Sequence, residues 1–243
     1  MKIGIKIYPN NPDKGEYLKR IADVTDFIEV MAVRDADFGF MEDYDIPYVI
    51  HNEHFRFGVN LSDSGMLERN LVSVRFSQEL ADRFNARFII VHPGLNDNDK
   101  CSIENVIKFL NMVNDERILI ENLPYWATTG SHCFGRSFDE LERIIKACGC
   151  GLCLDFGHAS LCAYGFKREH VEFVKDLFKL NPVYFHISDG HAENDKDEHM
   201  HLGEGNLDLA SFKRMIPDSA MVAIETRPEL EKQMNDIRFM RSD

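Results

Sequence analysis

Eight short apolar runs recur along this chain of 243 residues, and their alternation with longer mixed segments constrains the fold more than any other feature. Each run is nearly continuously apolar and bounded by polar or turn residues, as is typical of buried parallel strands. The predicted strands are Lys2–Tyr8, Asp26–Ala32, Pro47–His51, Arg87–His92, Arg117–Asn122, Gly151–Asp155, Val183–Ser188 and Met221–Glu225.

Amphipathic segments lie between these runs and predict helices. The clearest are Leu67–Phe84, Ser102–Val113, Phe138–Cys148, Lys167–Leu180 and Leu209–Met215. The weakest is the segment after the second run, around Asp35–Glu42, which reads as little more than a turn. Eight strands that alternate with helices, without a linker or a low-complexity stretch, predict a single α/β domain over 1–243, a (β/α)8 TIM barrel.

Residues of the kind that bind metals fall at the ends of the predicted strands. All strand ends of a parallel barrel lie on one face, the face that holds barrel active sites. Six strand-end positions and three nearby loop or helix-start positions carry histidine or carboxylate. These nine are His51, His92, Glu121, Asp155, His158, His186, Asp197, His199 and Glu225. Imidazole nitrogen and carboxylate oxygen suit zinc, manganese or iron, so the sequence predicts a divalent metal centre.

The composition indicates a globular protein of a reducing compartment. Hydrophobic residues make up 44% of the chain, and no apolar run approaches the length of a membrane span. The first ten residues read as a strand rather than a signal peptide, and six cysteines without such a signal indicate reduced thiols, so we expect a cytoplasmic protein. Cys148, Cys150 and Cys153 are interpreted as small buried residues and free thiols rather than as a metal knuckle.

The charge balance bears on the partner. The formal net charge is −13, with 28 basic residues against 41 acidic ones. Nucleic-acid binding usually depends on Lys and Arg that neutralise phosphates, so this balance weighs against a DNA-binding protein. A local basic groove, or the charge of bound metals, would still be compatible with a phosphate-containing substrate.

Seven short motifs distributed over the chain together resemble those of one superfamily. They are His92-Pro93-Gly94, Glu121-Asn122, Leu154-Asp155 to His158-Ala159, His186 with Asp189, Asp197 to His199, Leu202 to Asn206, and Glu225. The chain is similar in them to the xylose-isomerase-like superfamily, and within it to the endonuclease IV branch.

The resemblance implies a trinuclear zinc site that hydrolyses a phosphodiester beside an abasic sugar with a metal-bound hydroxide. It implies that His51, His92 and Glu121 hold the first ion and that His158, Asp197 and His199 hold the third. For the second ion it implies Glu121, Asp155, His186 and Glu225. Glu121, Glu225 and His158 are the implied catalytic residues. Abasic DNA or a small phosphorylated molecule is the implied substrate, with no obligate protein partner.

Several positions depart from the endonuclease pattern. Glu198 stands where the family usually has Arg, and Ser188 and Gly190 replace Asn and Ser. His51 is followed by Asn52-Glu53-His54 instead of Ala-Pro-Tyr. The ligand residues therefore resemble those of the endonuclease, whereas the DNA-handling residues differ.

Two other classes of protein fit the same motifs. A sugar or sugar-phosphate isomerase or epimerase of the superfamily would use Glu121, Asp155, His186 and Glu225 for one ion, manganese in that case. Its two glutamates would shuttle a proton, and His158 would contact the sugar. A non-catalytic barrel could keep the metal as a structural or ligand-binding site. An open pocket with bridging carboxylates weighs against that last class.

Four further residues have positions that suggest a role near the pocket. His54 and His201 lie close in sequence to predicted ligands, and Trp126 lies in the loop after the fifth strand, where aromatic residues commonly cover a barrel mouth. We expect these three to contact substrate. Glu29, near the end of the second strand, is expected to face either the pocket or a structural arginine.

Overall fold

A computed structural model describes residues 1–9 and 14–242. Eight parallel strands close into a barrel. Each strand pairs with the next one along the chain, and the last pairs with the first, with Lys2 beside Met221. The barrel strands are β1 Lys2–Ile7, β2 Phe27–Ala32, β3 Tyr48–Asn52, β4 Ile89–Val91, β5 Ile118–Glu121, β6 Gly151–Asp155, β7 Tyr184–Ile187 and β8 Met221–Ile224. The predicted (β/α)8 TIM barrel is confirmed.

Helices surround the barrel. Over the described ranges the α-helices are α1 Lys14–Ala22, α2 Leu67–Arg83, α3 Ile103–Val113, α4 Phe138–Cys148, α5 Phe156–Gly165, α6 His170–Phe178, α7 Leu209–Met215 and α8 Leu230–Arg241. Ser102 and Ser137 cap α3 and α4, each accepting from a main-chain N–H three residues on, which satisfies a donor that a helix start leaves free. Within the described chain, no helix is long and apolar enough to cross a membrane.

The side chains that point into the barrel form two successive rings. The lower ring is almost entirely apolar and contains Gly4, Phe27, Val49, Ile90, Leu119, Cys153, Tyr184 and Ala223. Two residues further along each strand, the same face carries a polar side chain, because side chains of a strand alternate with period two. The upper ring contains Lys6, Glu29, His51, His92, Glu121, Asp155, His186 and Glu225. All eight strands therefore place a polar group at one level of the barrel mouth.

Two connections differ in how well the sequence predicted them. The segment after β2 contains only a short 3-10 helix, Gly39–Asp43, which confirms the interpretation of a turn. The segment after β6 contains two helices, whereas the pattern predicted one over Lys167–Leu180. Helix α5 was missed because most of its residues are buried and it shows no amphipathic period.

The cysteines are all free in the structure. Cys150 and Cys153 are buried and Cys148 is half-buried, which agrees with the interpretation as small packed residues.

Candidate metal centre

A first group of ligand-type atoms forms at the ends of β3, β4 and β5. The Nε2 atom of His51 lies 3.2 Å from Oε2 of Glu121, and Nε2 of His92 lies 3.0 Å from the same oxygen. His51 and Glu121 are fully buried, and His92 opens toward the cavity. Their three ligand atoms all lie within 4.8 Å of one another, a spacing that one ion can bridge.

A second group adjoins the first through the other oxygen of Glu121. Nδ1 of His186 lies 3.4 Å from Oε1 of Glu121, 3.9 Å from Oδ2 of Asp155 and 3.1 Å from Oε2 of Glu225. These four atoms are buried, and among the described residues none of them has a hydrogen-bond partner. Because buried polar atoms are rarely left without a partner, their convergence fits a cation that is bound by all four.

A third group lies where α5 begins beneath the loop that follows β7. Nε2 of His199 lies 3.0 Å from Oδ2 of Asp197, and Nε2 of His158 lies 3.6 Å from the same oxygen. Nδ1 of His158 is also 3.2 Å from Oε1 of Glu121, so this group adjoins the second one. The structure thus brings together all nine residues for which the sequence predicted a ligand role.

Hydrogen bonds fix which nitrogen faces the ligand group in four of the five histidines. Three Nδ1 atoms lie on main-chain carbonyl oxygens, which only accept, so Nδ1 carries a proton and Nε2 is the nitrogen that would bind a cation. These are His51 on Asn52 at 2.8 Å, His158 on Asn122 at 2.9 Å and His199 on Glu225 at 2.7 Å. His186 is reversed: its Nε2 donates to Oε2 of Glu29 at 2.8 Å, and its Nδ1 faces the ligand group.

Local sequence explains how β5 and β6 hold their ligands. The side chain of Asn122 donates to the main-chain oxygen of Asp155 at 2.9 Å and accepts from its main-chain N–H at 2.7 Å. Asp155 in turn caps α5 by accepting from the N–H of His158 at 2.6 Å. The Glu121-Asn122 and Asp155-to-His158 motifs therefore lock three ligands into one relative geometry.

The loop after β7 is organised by one buried carboxylate. Oδ2 of Asp189 accepts from the N–H groups of Gly203 and Gly205, each at 2.9 Å, and its Oδ1 accepts from Gly190 at 2.8 Å and Leu207 at 3.3 Å. A Cβ atom at Gly205 would lie 2.2 Å from the main-chain oxygen of Gly190, so only glycine fits there. Asp189 thereby closes the loop that carries Asp197 and His199.

Burial and neighbouring charges shift the pKa values of two histidines of the centre in opposite directions. Burial lowers the pKa of His92 to about 4, although Glu121 partly opposes this. Burial also opposes the charge of His199, yet Asp197 raises the pKa of His199 to about 9. Since cations bind neutral imidazole, metal binding at the third group must displace a proton. The donor set of nitrogen and carboxylate oxygen fits zinc or manganese.

A cavity of about 730 Å³ opens above the three groups. His54 and Trp126, both predicted to contact substrate, line it. His54 is buried and stacks on His92 with ring centroids 5.1 Å apart, and Trp126 stacks on His132 at 3.7 Å. The same cavity is lined by three cations, Lys6, Arg56 and Lys196.

His201 does not line this cavity, so its placement does not support the predicted contact with substrate. Its Nδ1 lies 2.7 Å from Oδ2 of Asp236, and the same carboxylate accepts from Leu202 and Thr226. His201 therefore ties the β7 loop to α8.

Sequence reasoning missed one polar residue of the upper ring, Lys6, and left two orientations open for another, Glu29. Lys6 donates to Oε1 of Glu225 at 2.7 Å, and Glu29 accepts from His186 and from the hydroxyl of Tyr184, the latter at 2.6 Å. In the part of the chain that the structure describes, Glu29 contacts His186 and Lys6 rather than an arginine, so of its two expected orientations it takes the one toward the ligand groups. The available signal was their period-two alignment with the strand-end ligands.

The parallel barrel carries three adjoining histidine–carboxylate groups at its mouth. The protein is therefore of the class of TIM barrels with a candidate metal site at the strand ends. A family model described as "Xylose isomerase-like TIM barrel" matches residues 39–243. The chain belongs to that family.

Relatives and structural neighbours agree with this assignment. The chain is 28% identical over 240 residues to a probable endonuclease 4 of Halothermothrix orenii, covering 88% of this chain and 81% of the relative. It is 29% identical over 219 residues to a probable endonuclease 4 of Aquifex aeolicus, covering 80% and 74%. The resemblance to the endonuclease IV branch is thus confirmed.

Two solved structures share the fold along nearly the whole chain. One is a D-tagatose 3-epimerase-like protein, with a TM-score of 0.77, 21% identity and coverage of 99% of this chain and 96% of that one. The other is endonuclease IV from Thermus thermophilus, with a TM-score of 0.74, 20% identity and coverage of 99% and 98%. At these identities the likeness concerns the fold alone.

Proposed function

We propose that this protein is a divalent-metal-dependent phosphoesterase of the endonuclease IV type, which hydrolyses a phosphodiester at an abasic site or a related phosphate ester. The observation that carries this proposal is the set of three adjoining ligand groups that meet at Glu121. An enzyme that needs one ion has no ligand role for His51, His92, Asp197 and His199. The similarity to relatives named probable endonuclease 4 supports the same activity.

The side chains would divide the work. Two or three bound zinc ions would lower the pKa of water to about 7 and stabilise charge on the phosphate oxygens. Glu121 would hold the first two groups at a fixed separation, since its two oxygens face different histidines. Glu225 would orient the attacking water from the side of Oε2, and His158, at the base of the cavity, would hold the ion of the third group through Nε2.

The size of the cavity favours a small substrate, or a nucleic acid that inserts a single nucleotide into it. Its 730 Å³ accommodates a molecule of roughly nucleotide size, and Trp126 offers an aromatic face about one-third exposed. Of the lining cations, Arg56 and Lys196 are suited to phosphate, whereas Lys6 is paired with Glu225. The net charge of −13 disfavours long contact with duplex DNA. We therefore expect incision of an abasic duplex to be weak and steeply inhibited by salt.

The competing isomerase or epimerase would use Glu225 as part of a proton shuttle. Such a residue would bind the ion with one oxygen and reach the substrate carbon with the other. Here Oε1 of Glu225 is held by Lys6 at 2.7 Å, while Oε2 faces the ligand group. This contact weighs against the shuttle and supports the hydrolase.

Paired assays test the proposal: incision of an abasic-site duplex, and solvent deuterium exchange into a panel of ketoses and their phosphates. His199→Ala removes a ligand of the third group and should lower incision by orders of magnitude. His170→Ala, a histidine on α6 that does not line the cavity, is the matched control and should incise normally. No incision by the wild type with zinc or manganese, combined with deuterium uptake into any sugar, would establish the isomerase instead.

A further inference from the structure

Two strands of the barrel, β1 and β2, contribute no predicted ligand, yet each places a charged side chain at the level of the ligands. Lys6 and Glu29 are register neighbours in the β1–β2 pair, and their exposed fractions are 6% and 0%. Charges buried this deeply are costly unless they are paired and hydrogen-bonded. Their contacts therefore indicate what they support.

Glu29 contacts the one histidine whose orientation is reversed. Its Oε2 accepts from Nε2 of His186 at 2.8 Å and from the hydroxyl of Tyr184 at 2.6 Å. Because a carboxylate accepts and does not donate, the proton of His186 is on Nε2. Nδ1 is left with its lone pair toward the second group, and no described residue hydrogen-bonds to it.

Lys6 contacts the other ligand of the same group. Its Nζ donates to Oε1 of Glu225 at 2.7 Å and lies 3.8 Å from Oε1 of Glu29. Oε2 of Glu225 then faces Nδ1 of His186 at 3.1 Å. His186, Glu29, Lys6 and Glu225 thus form a closed ring of contacts, in which two non-ligand residues each hold one ligand.

We propose that Lys6 and Glu29 are positioning residues for the ion of the second group. Glu29 makes His186 bind through Nδ1, whereas the hydrogen bonds of His51, His158 and His199 make them bind through Nε2. Lys6 occupies Oε1 of Glu225 and so restricts that ligand to its other oxygen. Both roles rest on the proposed metal centre and are independent of which reaction it catalyses.

Zinc affinity tests the role of Glu29 without any activity assay. The full chain is titrated with zinc in competition with a chromophoric chelator. Glu29→Gln keeps the shape of the side chain but removes its charge. It should lower the affinity for one zinc ion per chain by about 10–100-fold, as is typical when the carboxylate behind a ligand histidine is lost. Glu53→Gln is the matched control: Glu53 is a buried glutamate that pairs with Arg34 at 2.6 Å, and its loss should leave zinc affinity unchanged.

Spectroscopy distinguishes positioning from a merely structural role. In the zinc-loaded protein, ¹⁵N spectra of labelled histidine should show His186 as a ligand through Nδ1 with its proton on Nε2. Glu29→Gln should alter that signal and spare the other ligand histidines. In the cobalt(II)-substituted protein, Lys6→Met frees Oε1 of Glu225, so the ion should gain a ligand and its visible absorption should weaken.

The outcomes separate this proposal from the function. Unchanged zinc affinity and an unchanged His186 signal in Glu29→Gln would refute the role of Glu29, and an unchanged cobalt spectrum in Lys6→Met would refute that of Lys6, with the phosphoesterase intact. Failure of the wild type to bind zinc would refute the metal centre and this proposal together. Normal zinc binding without incision would refute only the function.

Discussion

Asp189→Asn is expected to open the β7 loop. In the structure, the two oxygens of this carboxylate accept from four main-chain N–H groups at 2.8 to 3.3 Å. An amide presents only one acceptor oxygen, so two of the four donors lose their partner and face an NH2 group instead. A buried donor left without a partner costs about 1–3 kcal/mol. The bond from Leu207 is the longest of the four, at 3.3 Å, so its loss should cost less than the loss of another. We therefore expect the two lost bonds together to weaken closure of the loop by about 3 kcal/mol.

The effect should be local, because the ligands on β3 to β8 are held by the strands. The zinc content should fall by one ion per chain, the ion that Asp197 and His199 would bind. The amide protons of the four donors to Asp189 should exchange faster, namely those of Gly190, Gly203, Gly205 and Leu207. Element analysis after dialysis and hydrogen exchange with mass spectrometry measure these changes. Thr226→Val is a control that removes one donor to Asp236 at the base of the same loop without touching Asp189. Wild-type zinc content and wild-type exchange in Asp189→Asn would refute this account of the loop.

Three further predictions address the centre, its cavity and a distant ion pair. The wild type, purified without chelator, should contain at least two divalent ions per chain by element analysis, and Asp155→Ala should lose at least one; a content below one ion would contradict the three groups. Trp126→Ala should raise KM by about 3–10-fold with little change in kcat, the effect of losing an aromatic contact of about 0.5–1.5 kcal/mol; an unchanged KM would exclude the contact. Hydrogen bonds from Arg117 lower the pKa of Asp115 to about 2, so the ionised carboxylate stabilises the fold above pH 4 and loses this effect as the pH falls toward 2. Asp115→Asn should therefore lower the free energy of unfolding by about 1–2 kcal/mol at neutral pH, after allowance for solvent screening, and by less near pH 3. Urea unfolding across this pH range measures the difference between variant and wild type. A difference that does not change with pH would contradict the mechanism.

The sequence predicted the barrel and the ligands for one shared reason. A strand in a closed parallel barrel has a fixed direction, so a residue at its carboxyl end must lie at the barrel mouth. His51, Glu121 and Asp155 could therefore be placed without knowledge of any contact. Asp197 and His199 lie in a loop, and they were included because imidazole and carboxylate groups are densely packed there, directly after the seventh strand.

Other features could not be predicted because they depend on tertiary contacts. Helix α5 is buried on most sides, so it lacks the polar face by which a pattern identifies a helix. His201 is close in sequence to the ligands, which suggested that it would line the cavity. Its hydrogen bond instead joins it to Asp236 of α8, 35 positions away, and the sequence pattern does not show such a contact. Lys6 lies within an apolar run and Glu29 had two expected orientations, and the contacts between β1, β2 and β7 show which ligands they support.

The unequal anchoring of the three ligand groups determines how separately they can change. The first two groups use only strand-end residues, which the barrel itself positions. The third takes two of its three ligands from one loop, and Asp189 closes that loop on itself through its own glycines. The same loop is tied to the rest of the barrel by contacts between His201 and Asp236 of α8 and between His199 and the main-chain oxygen of Glu225. A substitution within this loop can therefore alter the third group alone, while the strands keep the first two groups in place.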